Sequence, residues 1–309
     1  MCCLLTRVRL KIFGFSAKEV IGRNILTVDR AQEVQDLLQK VSQAGKGEGL
    51  YEKDRHFYQL SGSSVNGSGS VILIYDVTEK MTAEKLRREF SANVSHELKT
   101  PLQSILGYAE IMKNGLVKDE DKQRFLERIH AEAGNMIELI QNIMELSRLD
   151  ENKTLDEFED VDLLKLAQSV ILRLKHKAQT KGVTLNVSGS SACVCGVQSI
   201  LSEVLYNLVD NSIKYNKDNG KVDVKVEDGS EDVTVSVSDT GIGIGAADRE
   251  RVFERFYRAD KSHSKEIGGT GLGLSIVKHG VLFHKGRVEL ESEPGVGTTI
   301  TFVLPKKRQ

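Results

Sequence analysis

Residues 91–101 read Ser-Ala-Asn-Val-Ser-His-Glu-Leu-Lys-Thr-Pro. An apolar residue recurs every four positions through this part of the chain, which predicts a helix with one apolar stripe: Leu86, Phe90, Val94 and Leu98. His96 lies two positions from the nearest stripe residues, so at about 100° per residue it points to the opposite, solvent-facing side. A histidine of a packed core should share the stripe. An exposed imidazole beside a carboxylate, here that of Glu97, can instead act as a nucleophile.

The helix that carries His96 is predicted to run from about residue 79 to 113, with Pro101 inside it. A proline there removes one backbone hydrogen bond and kinks the helix close to His96. Asn114 and Gly115 end the pattern, and a second helix begins near acidic residues 119–121, which suit a helix N-terminus. The apolar stripe of this second helix consists of Phe125, Ile129, Met136, Ile140, Ile143 and Leu146.

These two helices form a predicted hairpin whose long apolar stripes cannot both be buried well within one chain. A four-helix bundle made by two chains would bury them, so the sequence predicts a homodimer. The alternative is that another domain of the same chain covers the stripes.

Length and composition limit the classes of protein to consider. A chain of 309 residues suggests two or three domains, and 39% hydrophobic with 28% charged residues is ordinary for a soluble protein. The net charge of −1 gives no electrostatic case for binding nucleic acid. The longest purely apolar run, residues 71–75, is far shorter than the ~20 residues of a membrane span. We therefore expect a cytoplasmic chain without a membrane span, whose parent protein can still be membrane-associated.

The cysteines do not predict a disulfide framework, because they are few and clustered: Cys2, Cys3, Cys193 and Cys195. Cys193 and Cys195 can in principle hold a metal. The simpler interpretation is that both are strand residues that share one face, because no second pair of metal ligands is nearby.

The chain before the hairpin reads as a small α+β module. A capping box at residues 16–19 marks one helix start, and residues 33–41 carry a second helical pattern. Residues 57–60 and 71–75 read as strands joined by a Gly/Ser-rich turn.

After the hairpin the pattern changes to helices at 161–177 and 200–215 with four alternating strands. The strands are predicted at 221–227, 233–238, 287–291 and 298–304. Alternation means a sheet with one buried and one wet face, and helices on the buried face give a two-layer α/β sandwich. The fold class is therefore α+β multidomain, with predicted domains at 1–78, 79–152 and 153–309.

The helix at 200–215 has an unusual polar face formed by Glu203, Asn207, Asn211 and Lys214. A merely solvated face would normally use Lys, Glu or Gln, because two asparagines one turn apart reduce helix propensity. Amide and carboxylate oxygens suit a hydrated Mg²⁺. Lys214 can meet a phosphate, and Tyr215 can lie against a flat base.

Two glycine-rich loops add to this helix. Residues 239–245 follow a strand, and residues 268–274 precede an apolar helix. Glycines let backbone amides approach an anion, and a helix N-terminus favours negative charge. Neither loop is a P-loop, and the Rossmann reading fails because the second loop does not follow a first strand. The long connection between them holds Arg255 and Arg258, which suggest a lid that reaches a terminal phosphate.

Taken in order, these motifs resemble those of the sensor histidine kinases of two-component signalling. Residues 95–101 resemble the phosphoacceptor motif and residues 207–215 the asparagine motif. Residues 239–243 and 269–273 resemble the two glycine motifs, and residues 253–258 the phenylalanine motif between them. The resemblance covers roughly residues 82–305. It implies ATP-dependent autophosphorylation, phosphotransfer to an aspartate of a response regulator receiver domain, and phosphatase activity toward that regulator.

The resemblance also implies roles for single residues. His96 would accept the γ-phosphoryl group of ATP, and Glu97 would orient the imidazole of His96 or act as its base. Thr100 would help place a water for dephosphorylation of the regulator. Asn207, with Glu203 nearby, would hold Mg²⁺. Further ATP-binding positions are Asn211, Lys214, Tyr215, Asp239, Gly241, Gly243, Tyr257, Arg258, Gly269, Thr270, Gly271, Leu272 and Gly273. Among these, Asp239 would hydrogen-bond the adenine amino group.

The module at residues 1–78 resembles a PAS sensor domain through residues 12–16, 19–22 and 71–78. Such domains open with a strand pair, for which only residues 1–11 are available, so the resemblance implies a partial module. A second departure lies at residues 195–198, where relatives often have an aspartate before the asparagine helix.

Two other functions compete with this interpretation. A gyrase-like or mismatch-repair-like ATPase shares the nucleotide fold but lacks the histidine hairpin. A binding scaffold that no longer catalyses is disfavoured by the intact Asn207, Asp239 and glycine loops.

Overall fold

The computed structural model describes residues 31–65, 69–150, 157–259 and 269–307. By its contacts the chain divides into two compact units, Met1–Ala92 and Asn93–Gln309. The division falls inside one long helix, so most of the helical hairpin shares a unit with the α/β lobe that follows it. The predicted capping box at residues 16–19 lies outside the described residues.

The first unit packs one helix on a three-stranded antiparallel sheet. Its elements are α1 (Gln32–Ala44), β1 (Lys46–Lys53), β2 (His56–Val65) and β3 (Gly69–Asp76), with the strand order β1-β2-β3. Val34, Leu37 and Val41 of α1 are buried against Tyr58 and Leu60 of the sheet. The predicted helix at 33–41 and both predicted strands are confirmed.

Strand β1 is an element that the sequence pattern does not predict. Only Leu50 and Tyr51 are apolar in it, and Gly47 breaks the alternation. A Cβ atom on Gly47 would lie 2.8 Å from Cβ of Lys40, so the glycine lets α1 approach the sheet closely. The requirement for this glycine comes from packing, which a strand pattern cannot reveal.

Helix α2 (Thr78–Lys113) carries His96 and is 36 residues long. Its start is held by Asp76, whose Oδ1 accepts a hydrogen bond from the backbone N–H of Thr78 at 2.9 Å. Oγ1 of Thr78 in turn accepts from the backbone N–H of Phe57 at 2.9 Å. The helix continues through Pro101, and none of its residues is buried.

Helix α3 (Lys122–Asp150) returns antiparallel to α2 after a short 3₁₀ turn at Asp119–Asp121. The ring of Tyr108 on α2 meets that of Phe125 edge to face, with centroids 5.6 Å apart. Its hydroxyl accepts a hydrogen bond from Nη1 of Arg128 at 3.2 Å. The predicted hairpin is confirmed.

The single stripe predicted for α3 is wrong, because the helix has two apolar faces. Leu146, assigned to the stripe, is buried together with Leu139 and Leu149 on the face toward the α/β lobe. Ile140, assigned to the same stripe, is 43% exposed and lies on the other face with the exposed Ile137 and Met144. Adjacent positions on a helix differ by about 100°, so a broad apolar pattern can serve two partners.

In its described residues the α/β lobe has three α-helices and a five-stranded sheet. Its elements are β4 (Glu159–Asp162), α4 (Leu163–Thr180), β5 (Thr184–Gly189), β6 (Cys193–Gly196), α5 (Gln198–Lys214), β7 (Lys221–Asp228), β8 (Asp232–Asp239), α6 (Gly273–Phe283), β9 (Arg287–Glu293) and β10 (Gly297–Pro305). The sheet order is β5-β7-β8-β10-β9, and β4 pairs separately with β6. Among the described strands of the large sheet, β5 and β7 form the only parallel pair.

One face of the sheet is buried under the helices. Along β7 the burial alternates, with Val222, Val224 and Val226 inside and their neighbours exposed. These valines join the helices α4, α5 and α6 in one core. The predicted two-layer sandwich is therefore confirmed. Within the described part of the chain, no helix is both long enough and apolar enough to cross a membrane.

Candidate active site

His96 projects from α2 into solvent. Its side chain is 79% exposed, and its Nδ1 lies 3.6 Å from Oε1 of Glu97. Val94 and Leu98 on the opposite side are half-buried, which confirms the predicted orientation of the histidine. Thr100, one turn further on, donates a hydrogen bond from Oγ1 to the carbonyl oxygen of His96 at 3.2 Å.

A cavity of about 350 Å³ opens in the α/β lobe between α5, the end of β8 and the two glycine-rich loops. Predicted nucleotide-binding residues that line it are Asn207, Asn211, Lys214, Tyr215, Asp239, Gly243, Tyr257, Arg258, Gly269, Thr270, Gly271 and Gly273. Three other predicted residues, Glu203, Gly241 and Leu272, are not part of the lining. Leu272 is fully buried in the protein instead.

One wall of the cavity is the amide face of α5. Asn207 donates from Nδ2 to Oε1 of Glu203 at 3.0 Å and to its carbonyl oxygen at 2.9 Å. Glu203 thus lies behind Asn207 and orients its amide, with burial raising the pKa of the Glu203 carboxyl. A Cβ on Gly273 would lie 2.8 Å from Oδ1 of Asn207, so this glycine lets the start of α6 approach the amide.

Asp239 lies at the end of β8, is half-buried and lines the cavity. Its Oδ1 accepts hydrogen bonds from the backbone N–H of Gly241 at 2.8 Å and of Thr298 at 3.2 Å, and Ser212 also hydrogen-bonds the carboxyl. Burial raises the pKa of Asp239, while these hydrogen bonds oppose the rise. A Cβ on Gly241 would lie 2.4 Å from the carbonyl oxygen of Tyr215, so only glycine fits beneath the cavity.

The apolar walls of the cavity were not predicted from the sequence. Ile242 and Ile244 alternate with the glycines of the first loop, and Ile300 comes from β10. Ile242 is 53% exposed and lines the cavity. Apolar side chains near the half-buried carboxylate of Asp239 form a site for a flat, weakly polar ring.

Another part of the cavity lining is basic and glycine-rich. Lys214 and Arg258 line it together with residues 269–271. Gly271 has a φ of +69° and closely approaches the backbone of Phe256, where a side chain would clash. Tyr257 is held by a hydrogen bond from its hydroxyl to Asp248 and by the guanidinium of Arg251, 4.2 Å from its ring centroid.

The hairpin also contributes to the cavity, which the sequence did not suggest. Glu138 and Asn142 of α3 are among the lining residues. Nδ2 of Asn142 donates a hydrogen bond to Oγ1 of Thr270 in the second glycine loop at 3.2 Å. The described part of this unit therefore has a nucleotide-sized cavity built from both the lobe and the hairpin.

Arg255 does not line the cavity, although the sequence suggested that it reaches a phosphate. Its Nη2 lies 2.7 Å from Oδ1 of Asp150 at the end of α3 and 3.0 Å from Nε2 of His279 on α6. The arginine thus ties the lobe to the hairpin, and of the two arginines only Arg258 lines the cavity.

The start of α5 is held by a distant histidine. Its N-cap, Val197, has no side-chain cap, but its backbone N–H donates to Nε2 of His284 at 2.9 Å. His284 is buried, its Nδ1 hydrogen-bonds the carbonyl oxygen of Gly280, and burial lowers its pKa. This contact helps fix the helix where the capping aspartate of the family motif is missing.

Cys193 and Cys195 occupy strand β6, with Val194 between them buried in the core. The interpretation as strand residues on one face is confirmed. No cluster of three metal-ligating side chains occurs in the described ranges.

Two family models match the chain at these sites. The model described as "His Kinase A (phospho-acceptor) domain" matches residues 86–152, and "Histidine kinase-, DNA gyrase B-, and HSP90-like ATPase" matches residues 196–308. The sensor protein kinase WalK of Staphylococcus aureus is 30% identical over 314 residues, which cover 98% of this chain and 75% of WalK. The chain belongs to the sensor histidine kinase family.

Other family members extend beyond the length of this sequence. The sensor-like histidine kinase SenX3 of Mycobacterium tuberculosis is 36% identical over 257 residues, 83% of this chain and 60% of SenX3. A crystal structure of the histidine kinase ThkA in complex with the response regulator protein TrrA matches with a TM-score of 0.59 and 24% identity, over 98% of this chain and 92% of that one. At that identity the likeness concerns the fold alone.

Proposed function

We propose that the chain is an ATP-dependent protein-histidine kinase that phosphorylates His96 and passes the phosphoryl group to an aspartate of a response regulator receiver domain. The observation that carries the proposal is the presence in one unit of an exposed His96 and a cavity with the chemistry of a nucleotide site. The family membership supports the same reaction.

The cavity fits ATP at both ends. The carboxylate of Asp239 can accept a hydrogen bond from the adenine amino group, while Tyr215, Ile242 and Ile300 offer apolar contact to the ring. Lys214 and Arg258 can neutralise phosphate oxygens, and the glycine loop at the start of α6 offers backbone amides.

Mg²⁺ fits the amide face of α5. Because Nδ2 of Asn207 is engaged by Glu203, the amide oxygen Oδ1 remains as the group to offer a cation. Mg²⁺ is usually bound by one or two protein oxygens plus phosphates and waters, so a cluster of carboxylates is not needed. When bound, the ion would neutralise charge on the phosphates; Asn207 would hold it and Glu203 would position Asn207.

The reaction requires little covalent help from the protein. Neutral His96 attacks the γ-phosphorus of ATP, a P–N bond forms, and the bond to the bridging oxygen of ADP breaks. The contact between Nδ1 of His96 and Glu97 favours the ring proton on Nδ1, which leaves Nε2 as the attacking nitrogen. Glu97 then stabilises the charge that develops on the ring.

The register of the hairpin supports the meeting of His96 and the nucleotide. Tyr108 of α2 lies beside Phe125 and Arg128 of α3. His96 lies 12 residues before Tyr108 on α2. Because the two helices are antiparallel and have the same rise per residue, the level of His96 on α3 is 12 residues after Phe125 and Arg128, at about residues 137–140. Glu138, in that interval, lines the cavity. The cavity and His96 therefore lie at about the same height along the hairpin.

The second apolar face of the hairpin supports a homodimer. Large exposed apolar side chains on α2 and α3 include Leu102, Leu106, Leu126, Ile137, Ile140 and Met144. Such a surface is rare on a soluble monomer, and pairing of two hairpins would bury it in a four-helix bundle.

Two further roles belong to this proposal. Thr100 would help place a water for dephosphorylation of the regulator, and its hydroxyl would leave the carbonyl of His96 to do so. The first unit would be the described part of a PAS-like sensor module.

Labelling with [γ-³²P]ATP and Mg²⁺ tests the proposal. We expect acid-labile, base-stable phosphoprotein that is lost in His96→Gln and kept in His130→Gln, a matched change at an exposed histidine of α3. Transfer to a panel of purified receiver domains then tests the second step. Label that persists in His96→Gln would show that the nucleophile is wrongly assigned.

A further inference from the structure

The hydroxyl of Thr270 receives two hydrogen bonds at the edge of the nucleotide cavity. Nδ2 of Asn142 donates to Oγ1 at 3.2 Å, and the backbone N–H of Leu272 donates to the same oxygen at 3.3 Å. A threonine hydroxyl can accept two hydrogen bonds and donate one. With both acceptor positions used, the Thr270 hydroxyl is left to act as a donor.

The groups around Thr270 are those that would surround a terminal phosphate. Gly269 and Gly271 flank it in the second glycine loop, a Cβ on Gly269 would lie 3.6 Å from Nζ of Lys214, and Arg258 also lines the cavity. A neutral hydroxyl whose proton is directed at an anion makes a charge-assisted hydrogen bond, which is roughly twice as strong as one between neutral groups.

Asn142 is held firmly enough to set this direction. It shares a face of α3 with the buried leucines Leu139, Leu146 and Leu149, at helical spacings of three, four and three. These leucines fix the helix against the lobe, so the amide of Asn142 is presented to Thr270 by packing on both sides along the helix.

We propose that Asn142 is a positioning residue of the nucleotide site, which fixes the Thr270 hydroxyl as a donor to the terminal phosphates. The inference rests on the proposed function and deepens it, because it makes a hairpin helix part of the phosphate site of the lobe. By linkage, binding of the terminal phosphates and docking of the lobe on α3 then strengthen each other.

A competing role is that Asn142 only fastens the lobe to the hairpin. The two roles differ in which part of the nucleotide they affect. A positioning role through Thr270 changes affinity for the terminal phosphates alone, whereas a general packing role changes affinity for adenosine as well.

The experiment measures binding of AMP-PNP and of adenosine, each with Mg²⁺, to the full chain by calorimetry. In Asn142→Ala we expect about tenfold weaker binding of AMP-PNP and adenosine binding within about twofold of the unmodified chain. In Asn142→Asp we expect about hundredfold weaker AMP-PNP binding, because a carboxylate cannot donate, accepts the Thr270 proton and repels phosphate. Asn135→Ala, at an exposed asparagine on the same helix, is the matched control and should change neither affinity.

A double-mutant cycle tests whether Asn142 acts through Thr270. In a Thr270→Ala background, Asn142→Ala should cause little further loss of AMP-PNP affinity. An undiminished loss there, an equal loss for adenosine, or a gain in AMP-PNP affinity would each overturn the inference. Normal AMP-PNP binding by Asn142→Ala would overturn this inference alone, whereas an unmodified chain that binds no AMP-PNP would overturn the proposed function itself.

Discussion

Two helices carry the groups proposed for the reaction, and they are stabilised in opposite ways. Helix α5, with Asn207, buries nine of its 17 residues in the core of the lobe. Helix α2, with His96, buries none of its 36 residues. Packing within the lobe therefore stabilises α5, whereas the apolar side chains of α2 are left for a partner outside the described contacts to cover.

This difference suits the proposed chemistry. A nucleotide site gains most when its donors are held in place before the ligand arrives, which a packed lobe provides. A nucleophile that must be reached first by a nucleotide and then by a receiver domain has to stay on an accessible scaffold. We therefore expect the two regions to respond differently to changes in packing, in protein concentration and in pH.

The largest effect on stability is expected for Leu205→Ala in α5. Leu205 is fully buried in the lobe core, so its truncation should lower the free energy of unfolding by about 2–5 kcal/mol. Because the core belongs to one lobe, the loss should not depend on protein concentration. Urea unfolding at two protein concentrations, followed by near-UV circular dichroism, measures it. A concentration-dependent loss would show that the lobe is not self-sufficient.

For the hairpin the corresponding change is Leu106→Glu. Leu106 is 54% exposed on α2, and the proposed bundle would bury it. Placing a charge there should raise the dimer dissociation constant by about a hundredfold or more, because an unpaired buried charge costs several kcal/mol. Light scattering over a dilution series measures the dissociation constant, and AMP-PNP affinity should change little.

Asn135→Glu is the control for this charge, since Asn135 is exposed on a different face of α3 from Ile140. Equal dissociation by both variants would indicate a general charge effect. A monomeric unmodified chain would contradict the proposed homodimer.

The sequence predicts most of the residues that line the cavity, because they are unusual choices at their positions. Asparagines within a helix and glycines with close backbone contacts are poor choices for stability, so their presence signals chemistry. The exposed position of His96 follows from helical periodicity alone. These features are local, and local patterns are what a sequence displays.

Contacts between distant segments could not be predicted in this way. Asn142 and Thr270 are 128 positions apart, and although Asn142 shares a face of α3 with buried leucines, nothing in that pattern identifies Thr270 as its partner. Arg255 lay beside a predicted phosphate site, yet its partner is Asp150 at the end of another helix. The cap that His284 provides for Val197 is likewise set by tertiary packing.

Asp239→Asn is expected to separate binding from stability within the lobe. The asparagine oxygen can still accept from Gly241 and Thr298, but its NH₂ group would then face the adenine amino group, which is also a donor. We expect AMP-PNP binding to weaken by about a hundredfold. The melting temperature at neutral pH should stay equal or rise slightly, because burial raises the pKa of Asp239 and its charged form is disfavoured in the folded state.

The effect of Asp239→Asn on stability should depend on pH in a definite direction. As pH rises above the ordinary aspartate range, the unfolded chain loses its proton first, so the unmodified protein loses stability until the folded carboxyl is also ionised. Asp239→Asn lacks that loss. Melting temperatures of both proteins between pH 3.5 and pH 8 test this expectation. The difference in melting temperature, variant minus unmodified chain, should increase from acid to neutral pH. A difference that decreases instead would contradict the raised pKa of Asp239.

The smallest effect concerns the histidine that fixes the start of α5. Burial lowers the pKa of His284, so the folded lobe keeps the imidazole neutral to accept from Val197. When pH falls below the ordinary histidine pKa, the unfolded chain takes up a proton that the folded lobe does not, and stability is lost. His284→Gln should be less stable at pH 8 by about 1–2 kcal/mol, through the lost ring packing and hydrogen bond, but should lose less stability between pH 8 and pH 5.

His176→Gln, at an exposed histidine of α4, should retain the pH dependence of the unmodified chain. If His284→Gln retains it as well, another group sets the acid limit of the lobe, and the difference between the buried α5 and the exposed α2 does not extend to pH.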